Sequence, residues 1–134
     1  MESSWDVKIE TDISPAEVKI LLAQTDWANT RDRQGIENML NHTSWCVAVR
    51  DRAKLVGFAR VLTDHTYRAF IEDVIVDEAF RGKGIGSALI EFLLLKLNNV
   101  QEITLGCTEQ NVSYYQRFGF KKVSHAYMRK TLIG

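Results

Sequence analysis

The chain has 134 residues, 46% of them hydrophobic, and its 17 basic and 17 acidic side chains cancel. That length is one domain, residues 1–134, with room for a real core. Balanced charge argues against nucleic acid or an anionic membrane as the main partner, and no apolar run reaches the length of a bilayer span. Residues 1–10 are acidic and polar, without the apolar centre of a secretory signal, so a soluble, cytoplasmic domain is expected. Cys46 and Cys107 lack metal-ligand spacing and fall in predicted strands, where buried free thiols of a reducing compartment are expected. His42, His65 and His125 are too scattered for a metal site, and none is expected.

Residues 5–10 alternate apolar and polar side chains and predict a first strand. Ser14-Pro15-Ala16-Glu17 then opens a helix: Ser14 as N-cap, Pro15 in the first helical position and Glu17 completing a capping box. Val18, Leu21 and Leu22 form its buried stripe. Residues 26–35 are polar apart from Trp27 and read as a loop, followed by a short helix with Ile36, Met39 and Leu40 on one face. Residues 45–50 and 54–63 predict two strands joined by a tight turn at 51–53. In the second, Val56, Phe58, Arg60 and Leu62 share one face, and Leu55, Gly57, Ala59 and Val61 the other. Both faces are mostly apolar, so the strand is central and Arg60 needs a partner. A turn at 64–68 leads into a strand over 69–76.

The chain is organised around residues 71–97, IEDVIVDEAFRGKGIGSALIEFLLLKL. A short Val/Ile run is a buried strand, a glycine-rich turn follows, and a helical pattern runs from Ser87 to about Asn98. Glycines admit close backbone approach, and the first N–H groups of a helix have no intrahelical partner, so this junction suits an anion. Arg81 and Lys83 add positive charge, and the sum is a diphosphate cradle. A Walker loop is excluded because Gly84 follows Lys83, and the dinucleotide fingerprint because its third glycine is replaced by Ser87. The helix is apolar on two sides, with Ile90, Leu94 and Leu97 forming a second stripe, to be covered by C-terminal strands or by another subunit. Residues 101–107 predict a strand and 111–118 a short helix ending at Gly119. Residues 120–123 and 126–132 predict a closing hairpin.

With R-G-x-G-I-G directly after E-D-V-I-V, the sequence resembles the GCN5-related N-acetyltransferases (GNAT). The resemblance covers about residues 14–131 and implies an α/β fold, a mostly antiparallel sheet flanked by helices, with acetyl-CoA as co-substrate. It implies that Arg81, Gly82, Lys83, Gly84, Ile85, Gly86 and Ser87 hold the pyrophosphate. A bulge in the strand would expose backbone N–H groups at Val74, Ile75 and Val76 to the pantetheine arm and the thioester carbonyl. The motif Y-x-x-x-G-F places Tyr115 where the family keeps a tyrosine that protonates the departing thiolate, leaving Tyr114 to the core. Where many members have a pantetheine-binding asparagine this chain has Thr108, and Asn111 is the alternative.

Residues 103–120 with IEDVIV are similar to glucosamine-6-phosphate N-acetyltransferases, and the first half to small amine acetyltransferases. The family's first two helices flank the acceptor, which makes Trp27, Arg31 and Arg33 candidate substrate contacts, against the alternative of a solvated loop. Glu72 and Asp73 are the carboxylates available to deprotonate the amine. A regular strand puts them on opposite faces, Glu72 with Val74 and Val76 and Asp73 with Ile75, so one would serve the cleft and the other pair with Arg60. The expected acceptor is a small primary amine: a metabolic amine, a polyamine or an amino sugar phosphate. A protein amine, or a catalytically silent acyl-CoA-binding module, are the alternatives.

Overall fold

The computed structural model describes residues 5–133. Five strands, β1 (Trp5–Ile9), β2 (Trp45–Asp51), β3 (Lys54–Thr63), β4 (Arg68–Val76) and β5 (Glu102–Leu105), form one sheet in chain order. The first four are antiparallel, β2 to β4 through short turns and β1 to β2 through the two intervening helices, and β5 runs parallel to β4 after a helical crossover. That crossover is α3 (Ile85–Lys96), while α1 (Pro15–Leu22) and α2 (Arg33–Asn41) cover the opposite face. One core layer joins Leu21, Leu22 and Ile36 to Phe58 and Ile75 of the sheet. The other joins Ile85, Leu89 and Leu93 of α3 to Val49, Ala59, Val61 and Ile71. Each such side chain contributes roughly 1.5–3 kcal/mol by leaving water.

Several local expectations hold. Ser14 caps α1, its hydroxyl accepting from the Ala16 N–H at 3.2 Å. The reciprocal half of the capping box does not form, because Glu17 is drawn to Arg50 at 2.7 Å, which also holds Glu10 at 2.8 Å. The faces of β3 differ from strict alternation. Val56 is the extra residue where the β2–β3 register shifts, so Leu55 and Phe58 face α1 while Val56, Ala59 and Val61 face α3. Of the second stripe of α3, Ile90 and Leu97 are buried within the chain, and Leu94 is only half-buried.

Two expectations are corrected near the C-terminus. β5 stops at Leu105, where its pairing with β4 ends, so Cys107 lies outside the sheet and is exposed rather than buried. The closing hairpin over 120–132 is absent: residues 121–133 form no strand and each is exposed. A two-stranded hairpin without a surface to pack on is marginal in water.

Candidate active site

The site begins where two neighbouring strands part. β4 and β5 pair from Arg68 with Glu102 to Ile71 with Leu105 and no further, so residues 72–76 of β4 have one side without a strand partner. On its other side β4 carries a bulge. Glu72 pairs with Arg60 and Ile75 with Phe58, which leaves Asp73 and Val74 opposite Ala59 alone. The extra residue is accommodated by a left-handed backbone at Asp73, φ 54°, a conformation costly for a residue with a Cβ.

The bulge decides which way the acids point. Ile71, Val74 and Val76 pack on the α3 side, and Ile75 on the α1–α2 side. Glu72 shares a cross-strand position with Arg60, and Asp73 bonds to that same arginine. Both carboxylates therefore lie on the α1–α2 face, which corrects the expected division between two faces. A register shift of one residue reverses every later side chain, and here it occurs between the two acids.

Their environments differ sharply. Asp73 is buried, its Oδ2 accepting from Arg60 Nε at 2.6 Å and Arg31 Nη1 at 2.9 Å, its Oδ1 from Trp27 Nε1 at 3.0 Å. Burial pushes its pKa up, but the hydrogen bonds from Arg60, Arg31 and Trp27 outweigh that and hold it below the usual carboxylate range. Glu72 is exposed and has no hydrogen-bond or ion-pair partner among the described residues.

Asp73 thus gathers two of the three residues expected at the acceptor. Trp27 and Arg31 belong to residues 23–32, which are folded rather than loosely solvated. The Thr25 hydroxyl donates to the Leu22 carbonyl at 2.7 Å and accepts from the Ala28 N–H at 3.0 Å, and Ala28 is buried. Trp27 keeps 59% of its surface exposed although its N–H is held. Arg33 opens α2, is exposed, and lies outside this cluster. Nothing in the composition of residues 26–35 signalled the clamp, whose only hint was that Arg60, half-buried on a central strand, needed a partner.

Beyond β4 the chain turns through Glu78–Phe80 into residues 81–84. Gly82 and Gly84 have φ of 80° and 85°, and Gly84 is the N-cap of α3 without a side-chain cap. A Cβ on either would meet nothing within 4 Å, so the turn presents open backbone. Arg81 and Lys83 are exposed beside it. Uncapped N–H groups at the start of a twelve-residue helix, flanked by two cations, fit a diphosphate. At Gly86 the constraint is proximity, because a Cβ there would come within 3.0 Å of the Tyr114 hydroxyl. Tyr114, expected in the core, is half-buried with its hydroxyl 3.3 Å from Ser87 Oγ, so it braces the start of α3.

Tyr115 lies on α4 (Val112–Gln116), edge-on to Tyr114 at 5.2 Å and to Phe120 at 6.1 Å. Burial, with Tyr114 and Cys107 nearby, pushes its pKa up to about 12, so the phenol keeps its proton at neutral pH. Thr108 and Asn111 bracket the turn Glu109–Asn111 between β5 and α4, both exposed and neither capping a helix with its side chain. Among the described residues no cluster of His, Cys, Asp and Glu could hold a metal ion, and no helix is long and apolar enough to cross a membrane.

A strand with one side open and a bulge beside it, leading into a glycine turn and an uncapped helix start, offers backbone N–H groups to a thioester carbonyl and to a diphosphate, as an acyl-CoA-dependent transferase needs. Residues 41–122 match the family model described as acetyltransferase (GNAT) domain, and the chain belongs to that family. It is 40% identical over 73 residues to histone acetyltransferase TAP1 of Glycine max, covering 53% of this chain and 32% of that protein. It is 38% identical over 56 residues to glucosamine 6-phosphate N-acetyltransferase of Arabidopsis thaliana, 40% of this chain and 38% of that one. Among solved structures, a GNAT-family acetyltransferase from Streptococcus pneumoniae superposes with a TM-score of 0.78 at 22% identity, covering 95% of this chain and 99% of that one. The chain thus spans about a third of the length of these curated relatives.

Proposed function

We propose that the protein transfers an acetyl group from acetyl-CoA directly to a small primary amine with an apolar body. The observation that carries this reading is the unequal pair of acids at the bulge: Asp73 held by three donors, Glu72 beside it on the same face and unpartnered. Acetyl-CoA would supply the activated thioester. The turn at 81–87 would bind its pyrophosphate, and the N–H groups at Val74–Val76 would orient the arm and polarise the carbonyl. Glu72 would take the proton of the attacking amine, and Tyr115 would give its own to the sulfur. A lysine-like amine of pKa about 10.4 costs roughly 4–5 kcal/mol to deprotonate at pH 7, so a free carboxylate matters.

The surroundings of Glu72 support an apolar acceptor. On the same face of the sheet Leu62 and Phe70 pair across β3 and β4 two register positions away, and both remain exposed. The clamped Trp27 adds an exposed ring that can face a cationic or apolar group. A protein amine is the second reading, favoured by the relative named a histone acetyltransferase. We place the activity in the cytoplasm, in keeping with two free thiols, one of them exposed.

Thiol release from acetyl-CoA, measured with aryl-alkylamines, polyamines, glucosamine 6-phosphate and a histone peptide, tests all of this. Aryl-alkylamines should give the highest kcat/KM. Preference for the peptide would shift the acceptor to protein, and the absence of thiol release with every acceptor would leave a binding module.

A further inference from the structure

Tyr115 is carried by an element that does not hold itself in place. α4 is five residues long, none of its side chains is fully buried, and residues 106–111 leading into it are all exposed. A helix this short is not stable alone and takes its position from contacts to other elements. Among the described residues one side-chain hydrogen bond leaves α4 for another element, between the Tyr114 hydroxyl and Ser87 Oγ at 3.3 Å. Ser87 is the third residue of α3, at the uncapped start of that helix. The approach is close enough to require glycine at 86, where a Cβ would come within 3.0 Å of the same hydroxyl. Tyr114 also meets the Tyr115 ring edge-on at 5.2 Å. One side chain thus touches both the start of α3 and the phenol.

We propose, on the reading of acetyl-CoA as donor and Tyr115 as acid, that Tyr114 is a positioning residue through which a bound diphosphate fixes Tyr115 for proton transfer. The diphosphate then raises turnover as well as affinity. Either hydroxyl of the Ser87–Tyr114 pair can donate to the other. An anion at the start of α3 removes that choice: Ser87 donates outward to it and accepts from Tyr114. Donation to an anion polarises the Ser87 oxygen and strengthens the bond it accepts, which ties α4 down. The chemistry itself is unchanged. The amine nitrogen bonds to the acetyl carbon as the carbon–sulfur bond breaks, Glu72 takes the amine proton, and Tyr115 gives its own to the sulfur. A donor without the diphosphate offers the same thioester to a less well placed acid, and the loss falls on kcat.

S-acetylpantetheine, which has the thioester arm but no diphosphate, provides the first test. At saturation its kcat should lie about 10–100-fold below that of acetyl-CoA, and inorganic pyrophosphate should raise it about tenfold. Tyr114→Phe should lower kcat with acetyl-CoA about tenfold at nearly unchanged KM, leave S-acetylpantetheine almost unaffected, and abolish the response to pyrophosphate. Ser87→Ala should lower kcat similarly, and the two substitutions together should cost no more than either alone. A residue that merely supported the fold would affect both donors equally. Amide hydrogen exchange by NMR tests the coupling without any acetyl transfer. Pyrophosphate should slow exchange across residues 112–118 by about tenfold in the wild type and leave it unchanged in Tyr114→Phe. Amide shifts at residues 82–87 in the same spectra report that pyrophosphate is seated. Shifts there without slower exchange at 112–118 overturn the coupling alone, and their absence overturns the diphosphate site with it. Equal kcat for the two donors, or a pyrophosphate response that survives Tyr114→Phe, also overturns the proposal.

Discussion

The two halves of the candidate site are built in opposite ways. The half proposed to hold CoA is nearly contiguous: the turn at 81–84 and the start of α3 need only neighbouring residues with the right backbone freedom, and Tyr115 of α4 is its distant contributor. The acceptor half depends on Asp73, whose partners Arg60, Arg31 and Trp27 are 13, 42 and 46 residues away in sequence. A local device tolerates change elsewhere in the molecule, whereas a device assembled across two layers couples acceptor recognition to stability. Substitutions in the first half should therefore alter binding or turnover in a folded protein, and those in the second should alter folding as well.

The largest expected effect tests the CoA half. Tyr115→Phe removes one hydroxyl from a folded helix and should lower kcat by about 10²–10⁴-fold with little change in acetyl-CoA affinity, since the lost interaction serves the transition state. Single-turnover rates beside calorimetry would show it, and near-normal turnover would mean that water protonates the thiolate.

Asp73→Asn should cost about 2–4 kcal/mol of stability, below the roughly 3–5 kcal/mol of a fully buried pair, because Asp73 is buried but the two guanidinium groups that lose its charge are half-buried and partly reached by water. Urea denaturation reads this as a lower midpoint at unchanged slope. The pH dependence has a definite sign. A carboxyl whose folded pKa is depressed stabilises the fold above its ordinary value of 3.8 and loses that contribution as pH falls through the depressed one. The wild type should lose stability in that acid window, and Asp73→Asn should show a flatter profile there. Equal stability of both proteins would dissolve the contrast between the halves.

Gly84→Val comes next. A β-branched residue at φ 85° costs on the order of 1–3 kcal/mol, so CoA affinity should fall about 10–100-fold as the turn rearranges, while the domain stays folded. Undiminished affinity in calorimetry would remove the diphosphate from this turn. The smallest effect belongs to the unpartnered acid. Glu72→Gln should reduce kcat/KM at neutral pH by about tenfold, less than the typical contribution of about 10²–10⁴ because water reaches the exposed carboxylate and can take the proton in its place, and recover as pH rises and free amine accumulates. Stability should not change, because Glu72 is exposed. A pH-independent deficit would assign it to binding instead.

What the sequence determined by itself is what depends on near neighbours. The strand–turn–helix at 71–97, the Ser14 cap and the short helix that carries Tyr115 were legible because backbone conformation and helix periodicity are set within a few residues. Tertiary structure decided where long-range pairing competes with local pattern. The bulge in β4 exists only relative to β3, so no alternation count could show that Glu72 and Asp73 share a face. Nor could the polar run at 26–35 reveal that Trp27 and Arg31 close on Asp73, since a hydrogen-bonded clamp and a solvated loop have the same composition. The hairpin expected over 120–132 differs for the same reason: apolar patterning suits a strand, but a strand forms only against a partner edge, which pattern alone does not supply.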